Sequence, residues 1–409
     1  MTGTSRIIRA QAGNMQENAG RMEVDPLERK NMRFTTLQGG NWRNFTSFAV
    51  GLQPRMFLVG PNASGKSNFL DCFRFLSEIV SVGGGFESAV AKRGGVSMIR
   101  ALAARRYPSI SLRVTLGNDS IENEWTYELK FKQDNNRRPL IESEVVQYRG
   151  NDVLRRPDKE DLEDSERLRQ THLEQVNVNR KFRIVADFFA NLNYMHIVPQ
   201  LVREPDRSVG KKNDPFGGDF LEQIARTPKK TQDARLRKIA DALKVAVPQL
   251  MKLELETDIR GVPHLKGKYQ HWRPHGAWQR EDQFSDGTLR LLGLLWAVAD
   301  SRGPLLLEEP ELSLHPEVVR HIPQMFARVQ RRSGRQVLVS SHSPEILNDS
   351  GIGLNEVLIL EPKSEGTAVS TLSERDDIRT LRNAGIPLGD VLKDSTAPEE
   401  AGQISFFAG

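Results

Sequence analysis

The first strand falls at Met32–Leu37, followed by a turn at Asn41–Phe45 (NWRNF) and a second strand at Thr46–Val50. Arg55–Val59 (RMFLV) is short and apolar at almost every position, which predicts a buried strand rather than a half-exposed one. It runs directly into a glycine-rich loop and then an apolar helix over Ser67–Ile79. Ile110, Leu112, Val114 and Leu116 alternate onto one face, Trp125, Tyr127, Leu129 and Phe131 onto another, and Ile141 to Gln147 form a weaker third run. Those three segments predict a half-buried antiparallel meander. Residues 151–182 are crowded with charge, including Arg155, Arg156, Asp161 and Glu163, and read as a solvated helix without sustained heptads, hence no long coiled coil. Residues 183–255 read as mainly helical with one strand at Tyr194–Val198, and Lys211-Lys212 and Lys229-Lys230 read as exposed loops. From Ser285 the pattern is helix (288–299), strand (304–308), helix (316–331), strand (336–341), helix, strand (357–361). Such alternation predicts a parallel α/β sheet. No internal repeat is present.

Composition narrows the class without naming it. The 409 residues are 38% hydrophobic and 27% charged, an ordinary globular balance. A net charge of +5 permits a nucleic-acid partner but does not require one. The single cysteine, Cys72, excludes an internal disulfide and a cysteine-based zinc site, and its apolar setting predicts core packing in a reducing, cytoplasmic environment. The most apolar stretch, Leu289–Ala299, is too short to cross a bilayer, which takes about 20 residues. The N-terminus lacks the apolar run and cleavage site of a signal peptide, and residues 1–30 read as a flexible polar arm.

The chemistry lies in four short segments. Gly60-Pro61-Asn62-Ala63-Ser64-Gly65-Lys66-Ser67, followed by Asn68, fits the phosphate-loop pattern. Its glycines let backbone amides turn inward toward phosphate oxygens, the following helix offers its positive end, Lys66 can reach the β- and γ-phosphates, and Ser67 can ligate Mg²⁺. Leu305-Leu306-Leu307-Glu308-Glu309 is an apolar strand that delivers two carboxylates to its C-terminal edge. Glu308 would hold Mg²⁺ through water and Glu309 would polarise the attacking water; the alternative is an exposed acidic loop. Pro310-Glu311-Leu312-Ser313-Leu314-His315-Pro316 follows at once. His342, in Ser340-Ser341-His342-Ser343-Pro344, can donate to a γ-phosphate from the end of the next strand, or be merely structural. Ser285-Asp286-Gly287-Thr288 opens an apolar helix with a hydroxyl and bare amides. It is either a plain N-cap or an anion site aimed at the nucleotide of a second copy.

In this order the four segments resemble the ABC ATPase superfamily, and their wording resembles its RecF, OLD and SMC-like branch. GPNASGKSN looks like the Walker A motif, FSDGT like the signature, LLLEEPELSLHP like Walker B with the D-loop, and SSHSP like the switch-histidine loop. The match is specific for residues 32–80 and 280–361. The resemblance implies an α/β ABC-ATPase head with a mixed or parallel core sheet, an antiparallel β subdomain and a helical insertion. The implied organisation is an arm (1–30), an N-terminal half with the phosphate loop and meander (31–150), a mostly helical insertion (151–280), a C-terminal half (281–372) and a tail (373–409). It further implies ATP and Mg²⁺ as ligands and a head-to-head homodimer or higher homo-oligomer. Two ATP molecules would be sandwiched, each between Lys66 of one copy and Ser285 of the other, with Lys66, Glu309 and His342 catalytic. Glu308 departs from the aspartate common in the family. Gln147, by its place in a strand, is the candidate for the Q-loop glutamine.

Three uses of such heads differ in what they need. A transporter motor is disfavoured by SDGT and the absence of a span. DNA repair of the RecF kind is the alternative reading: Lys92, Arg93, Arg100, Arg105 and Arg106 could bind phosphates or form a solvated face. The favoured use is the ATPase subunit of an antiphage defence system, since compact heads of this branch resemble those of Septu, PARIS and retron modules. There a separately encoded nuclease or toxin is the effector. The chain after His342 is shorter than the roughly 100 residues of a TOPRIM fold, so no nuclease is expected in it. Phe406-Phe407 could dock on a partner or lie in a disordered end.

Overall fold

The computed structural model describes residues 32–104, 108–208, 214–271, 277–300 and 303–396. The expected N-terminal arm, Lys211-Lys212, Arg105, Arg106 and Phe406-Phe407 lie outside these residues.

The central sheet explains the apolar runs. It has six strands in the order β15-β14-β3-β13-β12-β8, where β3 is Arg55–Val59, β8 Asn193–Met195, β12 Leu305–Glu308, β13 Val337–Ser340, β14 Val357–Lys363 and β15 Gly366–Thr371. All neighbours pair parallel except β14 with β15. A parallel sheet covered on both faces needs apolar residues at consecutive positions, which is why RMFLV, LLLE and VLVS show no alternation. On one face Met56, Leu58, Leu306, Leu338 and Leu358 pack with the helix after the phosphate loop, α1 (Lys66–Val80). On the other Phe57, Val59, Leu305, Leu307, Val337 and Val339 form a second core. That core includes the helix after SDGT and the helices near residues 322–333 and 388–396.

The second sheet is antiparallel, in the order β2-β1-β4-β5-β6-β7: β1 (Arg33–Trp42), β2 (Phe45–Gly51), β4 (Ile110–Gly117), β5 (Trp125–Gln133), β6 (Pro139–Tyr148) and β7 (Asn151–Arg156). The meander stands as expected, with β1 and β2 added to its edge. Its inner face buries Phe34, Trp42, Leu112, Tyr127 and Phe131 against Phe69, Phe73 and Phe75 of α1. Phe34 and Phe73, for example, meet edge to face at 4.6 Å between ring centres. Each phenylalanine so buried contributes about 1.5–3 kcal/mol, so α1, and with it the phosphate loop, is held from both sides.

Residues 151–182 and 183–255 depart most from the pattern. Residues 151–156 are not a solvated helix but β7, pairing with β6. At its end Arg156 is fully buried between Glu144 (3.1 Å) and Asp161 (2.7 Å), whose side chains are also wholly enclosed. Burial pushes the Asp161 carboxyl up, but hydrogen bonds from Arg156 and the Asp158 backbone outweigh it and bring the group down to about 2. Charge density in a sequence does not distinguish a solvated face from a desolvated network, because both use the same residues. Arg156→Met leaves Glu144 buried without its cation and Asp161 with only Arg167, at 3.3 Å, and should destabilise the fold by about 3–5 kcal/mol. Arg155→Met, which removes only an exposed pair with Asp152, should stay within about 0.5 kcal/mol. Urea unfolding of the two variants checks this, and equal midpoints would overturn it.

The stretch 183–255 contains the expected helices α2 (Arg183–Ala190) and α3 (Lys229–Leu243). Lys229-Lys230 begin α3 rather than lying in a loop, and Leu250–Thr257 is a strand, β9, not helix. β9 joins β10 (Pro263–Tyr269) and β11 (Ala277–Arg280) in a third, antiparallel sheet ordered β11-β10-β9. The expected strand at 194–198 is shorter, Asn193–Met195. The helix expected over 316–331 is broken at Arg320-His321 into a single turn, Pro316–Val319, and a longer helix, Ile322–Ser333. Arg93, expected in an exposed basic cluster, is buried and paired with Asp71 (2.7 Å) and Glu78 (2.6 Å). It therefore offers nothing to a phosphate. Cys72 is buried, as its setting predicts.

Candidate nucleotide site

Three adjacent parallel strands, β3, β13 and β12, end at the same edge, and each delivers one piece of the site. After β3 the chain forms the loop Gly60–Gly65 and enters α1. Gly65 has φ +96°, a conformation that favours glycine, and a side chain there would collide with the Asn44 carboxamide. Asn44 is a residue the sequence reading passed over. It donates to Ser64 O (3.0 Å) and to Thr367 Oγ1 (2.7 Å), and accepts from Asn68 Nδ2 (2.8 Å). Asn68 thus braces the loop from behind. Asn62 is exposed, while Ser64 is buried and its hydroxyl has no partner. A buried hydroxyl without a partner suits a loop that closes on an added anion.

Lys66 is 5% exposed and donates to Gly60 O and Pro61 O, both at 2.9 Å. Burial lowers its ammonium from 10.5 to about 8, against the opposing pull of Glu309, Glu308 and Glu311. That displacement corresponds to about 3 kcal/mol of disfavoured charge. Ser67, at the first turn of α1, donates to Glu308 Oε1. A hydroxyl beside one carboxylate fits Mg²⁺, which binds through one or two protein oxygens and takes the rest from phosphate and water. Among the described residues no group of three or more His, Cys, Asp or Glu could form an all-protein cage. When bound, Mg²⁺ would neutralise phosphate charge there, with Ser67 and Glu308 the residues to hold it.

Beyond β12 the backbone turns sharply. Glu309 has φ +44°, unusual for a residue with a side chain and costing about 1–3 kcal/mol. The turn brings Glu309 to His342 at the end of β13: His342 Nε2 lies 3.0 Å from Glu309 Oε1. That hydrogen bond holds the Glu309 carboxyl below the usual range, against the opposing effect of burial, with the charges of His342, Lys66 and His196 adding to it. If Nε2 carries the hydrogen, Nδ1 is free to accept from Lys66 Nζ at 3.4 Å. Lys66, His342 and Glu309 therefore form one chain. Glu311 sits beneath it, accepting from Ser341 Oγ (2.5 Å) and His342 N (3.2 Å), and burial raises its carboxyl.

The signature segment lies at the start of α4 (Asp286–Ala299). Ser285 is its N-cap, accepting from Thr288 N at 3.2 Å and meeting Thr288 Oγ1 at 2.8 Å. Ser285 is nevertheless exposed. Gly287 packs against Ser313, and a side chain there would collide with the Ser313 carbonyl, so the signature and the segment after Glu309 share one surface. Arg203, also missed in sequence, ties the signature down through Phe284 O (2.7 Å) and Asp286 Oδ1 (2.6 Å).

Gln147 is not brought to the site. It lies on β6 and bonds Asp152 at 2.9 Å within the β6–β7 hairpin. The end of β8 occupies the site instead. Tyr194 donates to Glu308 Oε2, and His196 Nδ1 lies 3.2 Å from Glu308 O. No motif marks these residues, because strand β8 and strand β12 are more than a hundred residues apart and only pairing makes them neighbours.

The fold is that of an ABC-ATPase head, like the heads of SMC proteins. A solved SMC head bound to the C-winged helix domain of ScpA is 15% identical, with 85% of this chain and 99% of that chain covered and a TM-score of 0.52. An SMC head domain with an extended coiled coil from Pyrococcus furiosus, bound to the C-terminal domain of ScpA, is 12% identical over 87% and 100% of the two chains, also with a TM-score of 0.52. Comparison with curated proteins gives no match. Residues 55–348 match the family described as "AAA domain, putative AbiEii toxin, Type IV TA system", and the chain belongs to that family. Among the described residues no helix is long and apolar enough to cross a membrane.

Proposed function

We propose that this chain hydrolyses ATP with Mg²⁺ as a head-to-head homodimer, and that it is the ATPase subunit of an antiphage defence complex with a separately encoded effector. The observation that carries the hydrolysis reading is the chain Lys66–His342–Glu309 at the ends of β3, β13 and β12. Lys66 and the loop amides bind the phosphates, Ser67 and Glu308 hold Mg²⁺, Glu309 accepts the proton of the attacking water, and His342 donates to the γ-phosphate. The residues from Gly60 to Ser67 and Asn68 form the ATP cradle and its brace.

The dimer reading rests on the signature. Ser285 is exposed at the N-terminus of α4, with Asp286 and Gly287 half-buried and Thr288 buried behind it, and among the described residues no hydrogen bond joins them to the phosphate loop of the same chain. Ser285→Arg fills that surface with a bulky cation at an exposed side chain. It should leave ATP binding to one head within about twofold and abolish ATP-dependent pairing and turnover. Unchanged pairing by native mass spectrometry would overturn the trans role.

A family description that names a toxin and a toxin–antitoxin system supports a defence role over repair. Expressing this chain with its genomic neighbours and weighing the purified assembly with ATP tests it. A second, different protein in the complex is expected. Only paired copies of the 46.2 kDa chain, with turnover stimulated by DNA, would favour the repair ATPase.

A further inference from the structure

Tyr194 stands outside every motif yet makes direct contact with the metal-side carboxylate, through a placement that follows from strand register. β8 pairs parallel with β12, with Tyr194 opposite Leu306. Side chains two apart share a face, so Glu308 projects on the same side as Leu306, the side packed by α1 and carrying Ser67. Tyr194 and Ser67 therefore approach Glu308 from its two flanks. Tyr194 Oη donates to Oε2 and Ser67 Oγ donates to Oε1. The tyrosine is itself held: the Arg74 guanidinium lies 5.4 Å from its ring centre, and Arg74 pairs with Asp71 at 3.0 Å and Glu78 at 3.5 Å.

We propose that Tyr194 is a positioning residue for Mg²⁺ binding, fixing the Glu308 carboxylate so that its Oε1 edge stays directed at Ser67 and the incoming metal. The inference rests on the ATP-site reading and adds a residue to it. Glutamate has one more rotatable bond than aspartate, and ordering it costs conformational entropy. A half-buried phenol that already grips Oε2 orders it before the metal arrives, which is the gain of preorganisation. Glu308 touches Ser67 through one carboxylate oxygen and Tyr194 through the other. The pair Glu308–Tyr194 is therefore one device, and loss of either half should remove the same benefit.

The test is binding of a fluorescent ATP analogue with Mg²⁺ and with EDTA, on the full chain. Tyr194→Phe should leave the EDTA affinity within twofold of the parent and reduce the Mg²⁺-dependent gain in affinity about fivefold to tenfold. Glu308→Asp, too short to reach both partners, should lose a similar factor, and the double variant should be no weaker than Glu308→Asp alone. A full Mg²⁺-dependent gain in Tyr194→Phe, or multiplicative losses in the double variant, would overturn the proposal. Loss of the EDTA affinity in Tyr194→Phe would make the residue a structural brace and overturn it equally. If the parent itself binds no nucleotide under either condition, the ATP-site reading fails instead.

Discussion

Glu309→Gln should still bind ATP and Mg²⁺, but hydrolyse it about 10²–10⁴-fold more slowly, and accumulate as an ATP-bound pair of heads. The factor is what a positioned general base contributes to a hydrolytic step. The substitution keeps size and can still accept a hydrogen bond from His342 Nε2, now 3.0 Å from the carboxylate, so the turn at φ +44° has no reason to rearrange. What disappears is the charge. In the parent, the hydrogen bond from His342 holds the carboxyl below its usual range, so it is the charged form that faces the site at neutral pH. Single-turnover hydrolysis and native mass spectrometry measure the two effects separately. Hydrolysis at the parent rate would remove Glu309 from the mechanism and leave the acidic strand end without a catalytic role.

Lys66→Ala should weaken ATP binding by at least about tenfold to a hundredfold, the loss expected for charge-assisted hydrogen bonds of roughly 1.5–3 kcal/mol. It should do so without unfolding the protein. The Lys66 ammonium is buried and disfavoured, its pKa lowered to about 8, so its removal relieves a cost in the nucleotide-free fold. A melting temperature equal to or above the parent's, together with lost binding, is therefore the expected pair of results.

The same lysine sets a pH dependence. Phosphate oxygens beside Nζ stabilise the charged form, so the bound pKa exceeds the free value of about 8. Binding then takes up a proton above pH 8, and affinity should fall as pH rises through that value, approaching tenfold per unit until the bound form also titrates. Below pH 8 the lysine is protonated in both states and contributes no slope. In Lys66→Ala the slope above pH 8 should vanish. An unchanged slope would assign the titration to another group.

The parts of the site carried by unbroken runs were legible in the sequence. A phosphate loop needs its backbone turn, its lysine and its hydroxyl within eight consecutive residues, Gly60–Ser67, because all of them surround one anion at the end of one strand. The acidic strand end and the N-cap serine are local for the same reason: strand and helix ends are defined by consecutive residues. Asn44, Tyr194, His196 and Arg203 were not legible. Each acts on a residue far along the chain, Asn44 on Ser64 and Thr367, Tyr194 and His196 on Glu308, and Arg203 on Asp286. Nothing near them in sequence records those meetings. Gln147 shows the converse error: its type and strand suggested a role, but its strand lies in the other sheet.

Charge behaved in the same divided way. Sequence showed where charged residues cluster, and desolvation decided what they do. Arg156 and Arg93 became buried ion-pair centres because β7 and the helix after Gly85 enclosed them among carboxylates from elsewhere. Lys66, Ser67, Glu308, Glu309 and His342 were named from sequence alone as candidates, since hydrophobic periodicity and motif spacing are properties of the covalent chain. Their arrangement into two hydrogen-bonded groups, Lys66–His342–Glu309 and Ser67–Glu308–Tyr194, follows from the order β3-β13-β12-β8, which is set by how two cores are buried on either face of one sheet.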